Sequence, residues 1–283
     1  MKKNPERSQK IAFFFLLLAN LLIVVPVGLI IVIIVAKGFP ALTWEFISQM
    51  PRQGMRAGGI FPAIIGTIYL VGGAILFALP IGVLAAIYLC EYATHSRMSR
   101  VVKLAIVNLA GVPSVVYGLF GLALFVVFCK FGVSILSGAL TLGIMILPII
   151  ITASREALES VPPAFREVSL SLGASKWQTI RNIVLPNAIP GILTGAILGL
   201  GRASGETAPI LFTVAAFYLP RLPSSVFDQV MALPYHLYVI STQVPNVDEK
   251  IRYGTALVLL LLVLFMNSVA ILIRNKFRKQ KRW

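Results

Sequence analysis

Residues 11–36 form an apolar run of 26 residues without one charge. At about 1.5 Å of rise per residue, a helix of that length crosses a hydrocarbon layer about 30 Å thick. A secretory signal has an apolar core of only about 7–15 residues, so the run reads as a retained transmembrane helix. Five more runs follow, over residues 60–89, 104–128, 134–153, 187–219 and 254–273. The one at 60–89 is interrupted by Pro80, and the one at 104–128 by Gly111, Val112, Pro113 and Ser114. A break of the second kind is tolerated where protein rather than lipid covers the freed backbone groups. The sequence therefore predicts an all-α integral membrane protein with six transmembrane helices. Composition agrees, since charged residues make up 12% of the chain where a soluble domain carries about 25%.

A formal charge of +15 would suit a nucleic-acid binder, but its distribution argues for topology instead. Seventeen of the 25 Lys and Arg lie in the head 1–10, the turn 91–103, the segment 154–186 and the tail from Arg274. Seven lie in the alternate segments, and Arg202 lies inside a run. Positive charge accumulates on the cytoplasmic side, which predicts that both termini and the 154–186 segment face the cytoplasm. In that topology His95 and His236 fall on opposite sides and share no metal site. Cys90 and Cys129 end apolar runs and suggest neither a disulfide framework nor a metal site. Trp44 and Phe46 suit interfacial anchors.

The 154–186 segment is a polar island between two apolar runs. The pair Pro162 and Pro163 ends one helix near Val161 and opens another over about 164–172, with Phe165, Val168 and Leu172 on one face. Arg166 and Glu167 point elsewhere. Gly173 stops that helix, and Ser175 with Gln178 has the spacing of a capping box that starts the next. The expectation is a helix–turn–helix with an exposed apolar knob.

This island resembles the coupling ("EAA") loop of binding-protein-dependent ABC importer permeases. The family pattern is Glu-Ala-Ala, three residues, Gly, nine residues, Ile, one residue, Leu-Pro. Glu167, Gly173, Ile183, Leu185 and Pro186 fall at those spacings, while Val168 and Ser169 replace the two alanines. The resemblance implies the MetI-like permease fold and a multi-pass place in the bacterial or archaeal inner membrane. It also implies that Phe165, Glu167, Val168, Gly173 and Pro186 couple the chain to an ATPase. No phosphate-binding loop exists here, and the chain lacks even a Gly-Lys dipeptide, so ATP hydrolysis falls to a separate subunit. The protein is expected to be a transporter subunit without enzymatic activity or cofactor. Its implied domains are an N-terminal helix and extracytoplasmic segment (1–59), a permease domain (60–275) and a basic tail (276–283).

The run at 187–219 holds a second constellation. Gly191, Gly195 and Gly199 recur every four residues, a spacing suited to close helix contact. Arg202 and Glu206 are the only charges inside any run. Each costs about 2.5–3.5 kcal/mol at a helix centre on insertion scales, so neither belongs against lipid. Their i, i+4 spacing puts them on one helix face, either as an intrahelical pair or as a translocation site. The stretch from Gly199 to Ile210 resembles the Arg-Ala-x-Gly-Glu-Thr-Ala-Pro signature of PstA-type phosphate-uptake permeases. Gly58, Gly59, Ile60, Pro62, Ala63, Gly66 and Thr67 resemble the same family, as do Ala232, Leu233 and Pro234 leading to His236 and Tyr238. That resemblance implies a PstC-like second permease subunit and an extracytoplasmic phosphate-binding protein. Sulfate uptake by the same architecture, or a secondary transporter using Arg202 and Glu206 as a charge relay, are the alternatives. A membrane-embedded enzyme would need a His–carboxylate or Ser–His arrangement, and none has useful spacing.

Overall fold

The computed structural model describes residues 5–93 and 96–279. His95 and the outermost basic residues of head and tail lie outside that range. Four long helices build the core in sequence order: α3 (Phe61–Ile87), α6 (Ile135–Glu159), α9 (Leu185–Gly205) and α12 (Glu249–Lys279). Helix α6 is central, packing on α3 and α9, with α12 against the other side of α9. Leu70, Ala74 and Ala78 of α3 meet Leu142, Met145, Ile146 and Ile150 of α6 in the main apolar core. The glycine spacing in α9 has the expected use, since Gly195 and Gly199 leave room for Ile146, Ile150 and Ala153 of α6.

Helix α1 (Pro5–Gly38) stands outside the bundle and exposes its apolar surface. It is fastened to α12 near its end, where Lys37 Nζ lies 2.8 Å from Glu249 Oε1 and 5.0 Å from the centre of the Tyr253 ring. Short elements follow: α2 (Trp44–Ser48), then β1 (Pro51–Arg52) antiparallel to β2 (Ala57–Gly58). Trp44 is exposed as an anchor would be, but Phe46 is buried in the core and is not one.

Among the described residues five helices are long and apolar enough to cross a membrane, or six if one bent pair is counted as a single span. Four expectations about the course of the chain need correction. First, α3 runs through Pro80 without a break. Second, the span at 104–128 is two helices, α4 (Arg97–Ala110) and α5 (Ser114–Gly121), meeting at 103°. Proline at 113 has no N–H and pushes Val112 out of the helical region, so the sequence marked the break but not its angle. Tyr117 Oη donates to Leu109 O across the bend at 2.8 Å, adding a side-chain tie to a carbonyl that also accepts from Val112 N at 3.1 Å. Helix α4 also starts inside the expected basic turn, capped by Ser96, whose Oγ accepts from Ser99 N at 2.9 Å.

Third, the run at 187–219 is not one helix. Helix α9 ends at Gly205, Glu206 is extended (φ −78°, ψ 133°), and α10 (Ala208–Thr213) starts afresh with Pro209 in its first turn. Nor is 220–253 merely a polar segment. Val230, Met231, Leu233, Val239 and Ile240 are buried, and α11 (Leu233–Thr242) packs on α3 and α12. The tie is specific, since Leu233 N donates to Thr67 Oγ1 at 2.8 Å.

His236 of α11 is 3% exposed, and burial pushes its pKa down from 6.5 to about 4. Its Nδ1 has no hydrogen-bond partner among the described residues. The folded chain therefore favours neutral imidazole, while the unfolded chain takes up a proton as pH falls below about 6.5. Stability should drop as pH falls from 6.5 toward 4 and level off below. Thermal unfolding of the detergent-solubilised protein at pH 7.5, 5.5 and 4.5 checks this, and His236→Gln should flatten the profile.

Candidate functional site

Two places gather the residues that the sequence singled out. The first is the island. Helix α7 (Pro163–Ser171) opens on Pro163, whose missing N–H costs nothing in a first turn. It closes through Gly173, at φ +83°, where Gly173 N donates to Leu170 O at 3.0 Å and Ala174 N to Ser169 O at 3.2 Å. Only glycine adopts that backbone cheaply. The capping box then forms in both directions: Ser175 N donates to Gln178 Oε1 at 2.7 Å, and Gln178 N to Ser175 Oγ at 3.3 Å. It starts α8 (Lys176–Thr179), which passes through a π turn, Ile180–Val184, into α9. Pro186 sits in the first turn of α9, where the looser π turn accommodates its missing N–H. The buried hydroxyls of Ser169 and Thr179 share a hydrogen bond of 2.8 Å that holds α7 against α8.

The outer face is apolar. Phe165, Val168 and Leu172 line an open concavity with Ala164, Ala174 and Ile183, and Leu172 is 83% exposed. Glu167 is exposed beside it and forms no ion pair among the described residues. Arg166 turns the other way and pairs with Glu91, a residue that sequence reasoning left in a basic turn. Nothing in the sequence marks a partnership across 75 positions.

The second place is the break between α9 and α10. Arg202 lies in the last turn of α9, where the helix dipole favours a cation, and Glu206 follows on extended chain. Arg202 Nε lies 3.6 Å from Glu206 Oε1, an ion contact too long for a hydrogen bond. The side chains are 29% and 19% exposed. Among the described residues the Glu206 carboxylate accepts no hydrogen bond, so its lone pairs remain open. Glu206 also lines a small void with Thr67, Leu142, Ser204, Ala232 and Pro234. About 10 Å³ of it is open to the centre of a water molecule, room for about one water. The three stretches noted separately along the chain, 58–67, 199–210 and 232–234, thus converge on one point. The broken spans converge there too. Gly118 of α5 lies against Ala208 and Pro209, where a Cβ would sit 3.0 Å from Pro209 Cα, so α5 seats directly on the backbone of α10.

Residues 78–282 match the model of the family described as binding-protein-dependent transport system inner membrane component. The chain belongs to that family. It is a multi-pass inner-membrane permease, and the family consists of transport components rather than enzymes. The probable ABC transporter permease protein YqgI of Bacillus subtilis (strain 168) is 34% identical over 94% of this chain and 95% of its own. The phosphate transport system permease protein PstA 1 of Mycobacterium tuberculosis (strain ATCC 25618 / H37Rv) is 34% identical over 100% of this chain and 92% of its own. Among solved structures, a chain of a bacterial ABC transporter involved in alginate import aligns with TM-score 0.60 at 18% identity, over 95% of this chain and 97% of that one. A chain of the inward-facing MetNI methionine ABC transporter aligns with TM-score 0.58 at 16% identity, over 77% and 94%. The expected ABC importer permease fold is therefore present. Membership in this family implies a substrate-binding protein and an ATPase as partners.

Proposed function

We propose that this permease conducts inorganic phosphate inward in an ATP-driven importer, sharing the path with a PstC-like second permease subunit. An extracytoplasmic phosphate-binding protein delivers the anion, and the ATPase docks on the island through Phe165, Glu167 and Val168, with Gly173 and Pro186 setting its shape. The observation that carries the reading is the charged pair at the break of α9, beside a void in the protein core. Broken helices that line a cavity are a recurrent way to hold an ion at membrane depth. Relatives named as phosphate transport permeases over nearly the whole chain supply the anion.

The chemistry suits that anion. Arg202 offers a planar fork of donors matched to phosphate oxygens. Glu206, as an acceptor-only carboxylate, takes a hydrogen bond from a protonated phosphate, which fully ionised sulfate cannot give. Uptake of labelled phosphate by vesicles holding the assembled transporter, with sulfate as competitor, tests the reading. Competition by equimolar sulfate would overturn the phosphate assignment.

The same reading places both termini and the island in the cytoplasm and treats 1–59 as an extension of a 60–275 permease domain with a basic tail at 276–283. A cysteine replacing Ser171 should be shielded from an impermeant thiol reagent in whole cells, and one replacing Ser224 should react. The opposite labelling would invert the topology and remove the docking argument with it.

A further inference from the structure

Helix α3 joins the two candidate places. Near one end Thr67 lines the void beside Glu206, and past the other end the chain continues as a π turn, Tyr88–Tyr92, that carries Glu91. About 36 Å of helix lies between Thr67 and Glu91. The Glu91 end is fastened to the island. Glu91 Oε1 accepts from Arg166 Nη2 at 2.8 Å and from Nε at 3.0 Å. The same guanidinium donates to Val161 O at 2.8 Å and Leu158 O at 2.9 Å, the carbonyls where α6 ends. Lys176 Nζ donates to the Glu91 carbonyl and lies 4.9 Å from the centre of the Tyr92 ring. The Glu91 side chain is 10% exposed and that of Arg166 is 22% exposed, so salt screens the pair little.

The setting is that of a joint. Beneath the clamp, Ile87, Leu158, Val161, Ile180 and Val184 form an apolar cluster distinct from the main core. Two π turns, Tyr88–Tyr92 after α3 and Ile180–Val184 within the island, contribute residues to it or pack against it. Such turns are rare within helices and recur at functional sites. Apolar contacts in a cluster of this kind slide past one another at little cost, because they have no preferred direction. A guanidinium that donates through two nitrogens to one carboxylate oxygen does have one, and it resists shear.

We propose that Glu91 is a positioning residue that carries displacement of the island into α3, and so toward the charged pair at the break of α9. This rests on the reading that the ATPase docks on the island. When the ATPase moves α7, Arg166 pulls Glu91 with it, and α3 moves as a rod. Without the clamp, α7 moves over the apolar cluster and only the Lys176 contacts at the Glu91 carbonyl and Tyr92 ring tie the island to the end of α3, so little of the displacement reaches it.

The test uses the complete transporter in proteoliposomes, comparing wild type, Glu91→Gln and Glu91→Ala for bound ATPase, ATP hydrolysis and uptake of labelled phosphate. Glu91→Ala should keep the ATPase bound and hydrolysis within about twofold, while phosphate taken up per ATP falls about tenfold. Glu91→Gln, which keeps an acceptor but no charge, should fall between. A further arm replaces Cys90 and Cys129 by Ser, introduces Glu91→Cys with Arg166→Cys, and joins the new thiols with a short bifunctional reagent. The joined form should regain the uptake-to-hydrolysis ratio that the unjoined form lacks, a recovery that simple support of the fold would not produce. An unchanged ratio in Glu91→Ala with ATPase bound would overturn the clamp alone. So would uptake and hydrolysis falling together, or failure of both Glu91 variants to assemble. Failure of the wild-type chain to retain the ATPase would instead overturn the docking reading.

Discussion

Arg202→Gln should abolish phosphate uptake while the permease inserts, assembles and binds its ATPase as before. The substitution removes the cation that faces Glu206 at the break of α9 and leaves Glu206 beside the void, so the site turns from neutral to repulsive toward an anion. Arg202→Lys keeps the charge but loses the planar fork. A charge-assisted hydrogen bond contributes about 1.5–3 kcal/mol, so uptake should fall about ten- to hundredfold. Glu206→Gln exchanges an acceptor-only group for one that also donates, and should weaken phosphate uptake and relax discrimination against sulfate. The double Gln variant is decisive. If the two charges only neutralised each other, removing both would restore most of the transport lost in either single variant, and the translocation role would be ruled out. The 3.6 Å separation favours the other result, since a pair that makes no hydrogen bond is available to a third group. Initial rates of labelled phosphate uptake into vesicles, normalised to assembled complex, measure all four.

Gly173→Pro should leave the permease in the membrane but detach the ATPase. Gly173 sits at φ +83°, whereas proline holds φ near about −65°, so the turn cannot form with proline there. The Gly173 N–H to Leu170 O bond is lost as well. Helix α7 then no longer returns into α8, and Phe165, Val168 and Leu172 cease to share one concavity. Gly173→Ala retains the N–H and pays about 1–2 kcal/mol for the left-handed backbone, so it should lose only part of the binding. Val168→Asp leaves the turn intact and charges the apolar face, and it should weaken docking without unfolding the island. Co-purification of the ATPase from solubilised membranes, with permease content measured in parallel, reads out the series. Normal assembly and transport by Gly173→Pro would sink the docking reading.

The capping box of Ser175 and Gln178, the stop at Gly173 and the start at Pro163 all formed where the sequence placed them. Each is an interaction closed within one turn of chain, so the residues that decide it are neighbours in sequence. The existence of the apolar spans was legible for a similar reason, because each is set by its own length and composition. The family pattern across 167–186 was legible too. The end of α9 at Gly205 was not. The stretch after it stays apolar through Leu219, and apolar character alone does not say whether a chain at membrane depth is helical. Only the covering by α5, α6 and the segment around Ala232 allows Glu206 to be extended, with its backbone away from lipid.

By itself, then, the sequence determined the class of molecule, the position of the island and the two charges that no lipid would accept. Tertiary structure decided that α4 and α5 meet at 103°, that α11 belongs to the core and that Arg166 faces Glu91 rather than solvent. It also decided that Arg202 and Glu206 flank a break instead of lying along one helix. These depend on partners 75 or more positions apart, or on which neighbour shields an irregular backbone. Pairings at that range are fixed by packing the whole bundle, and no local pattern of residues encodes them.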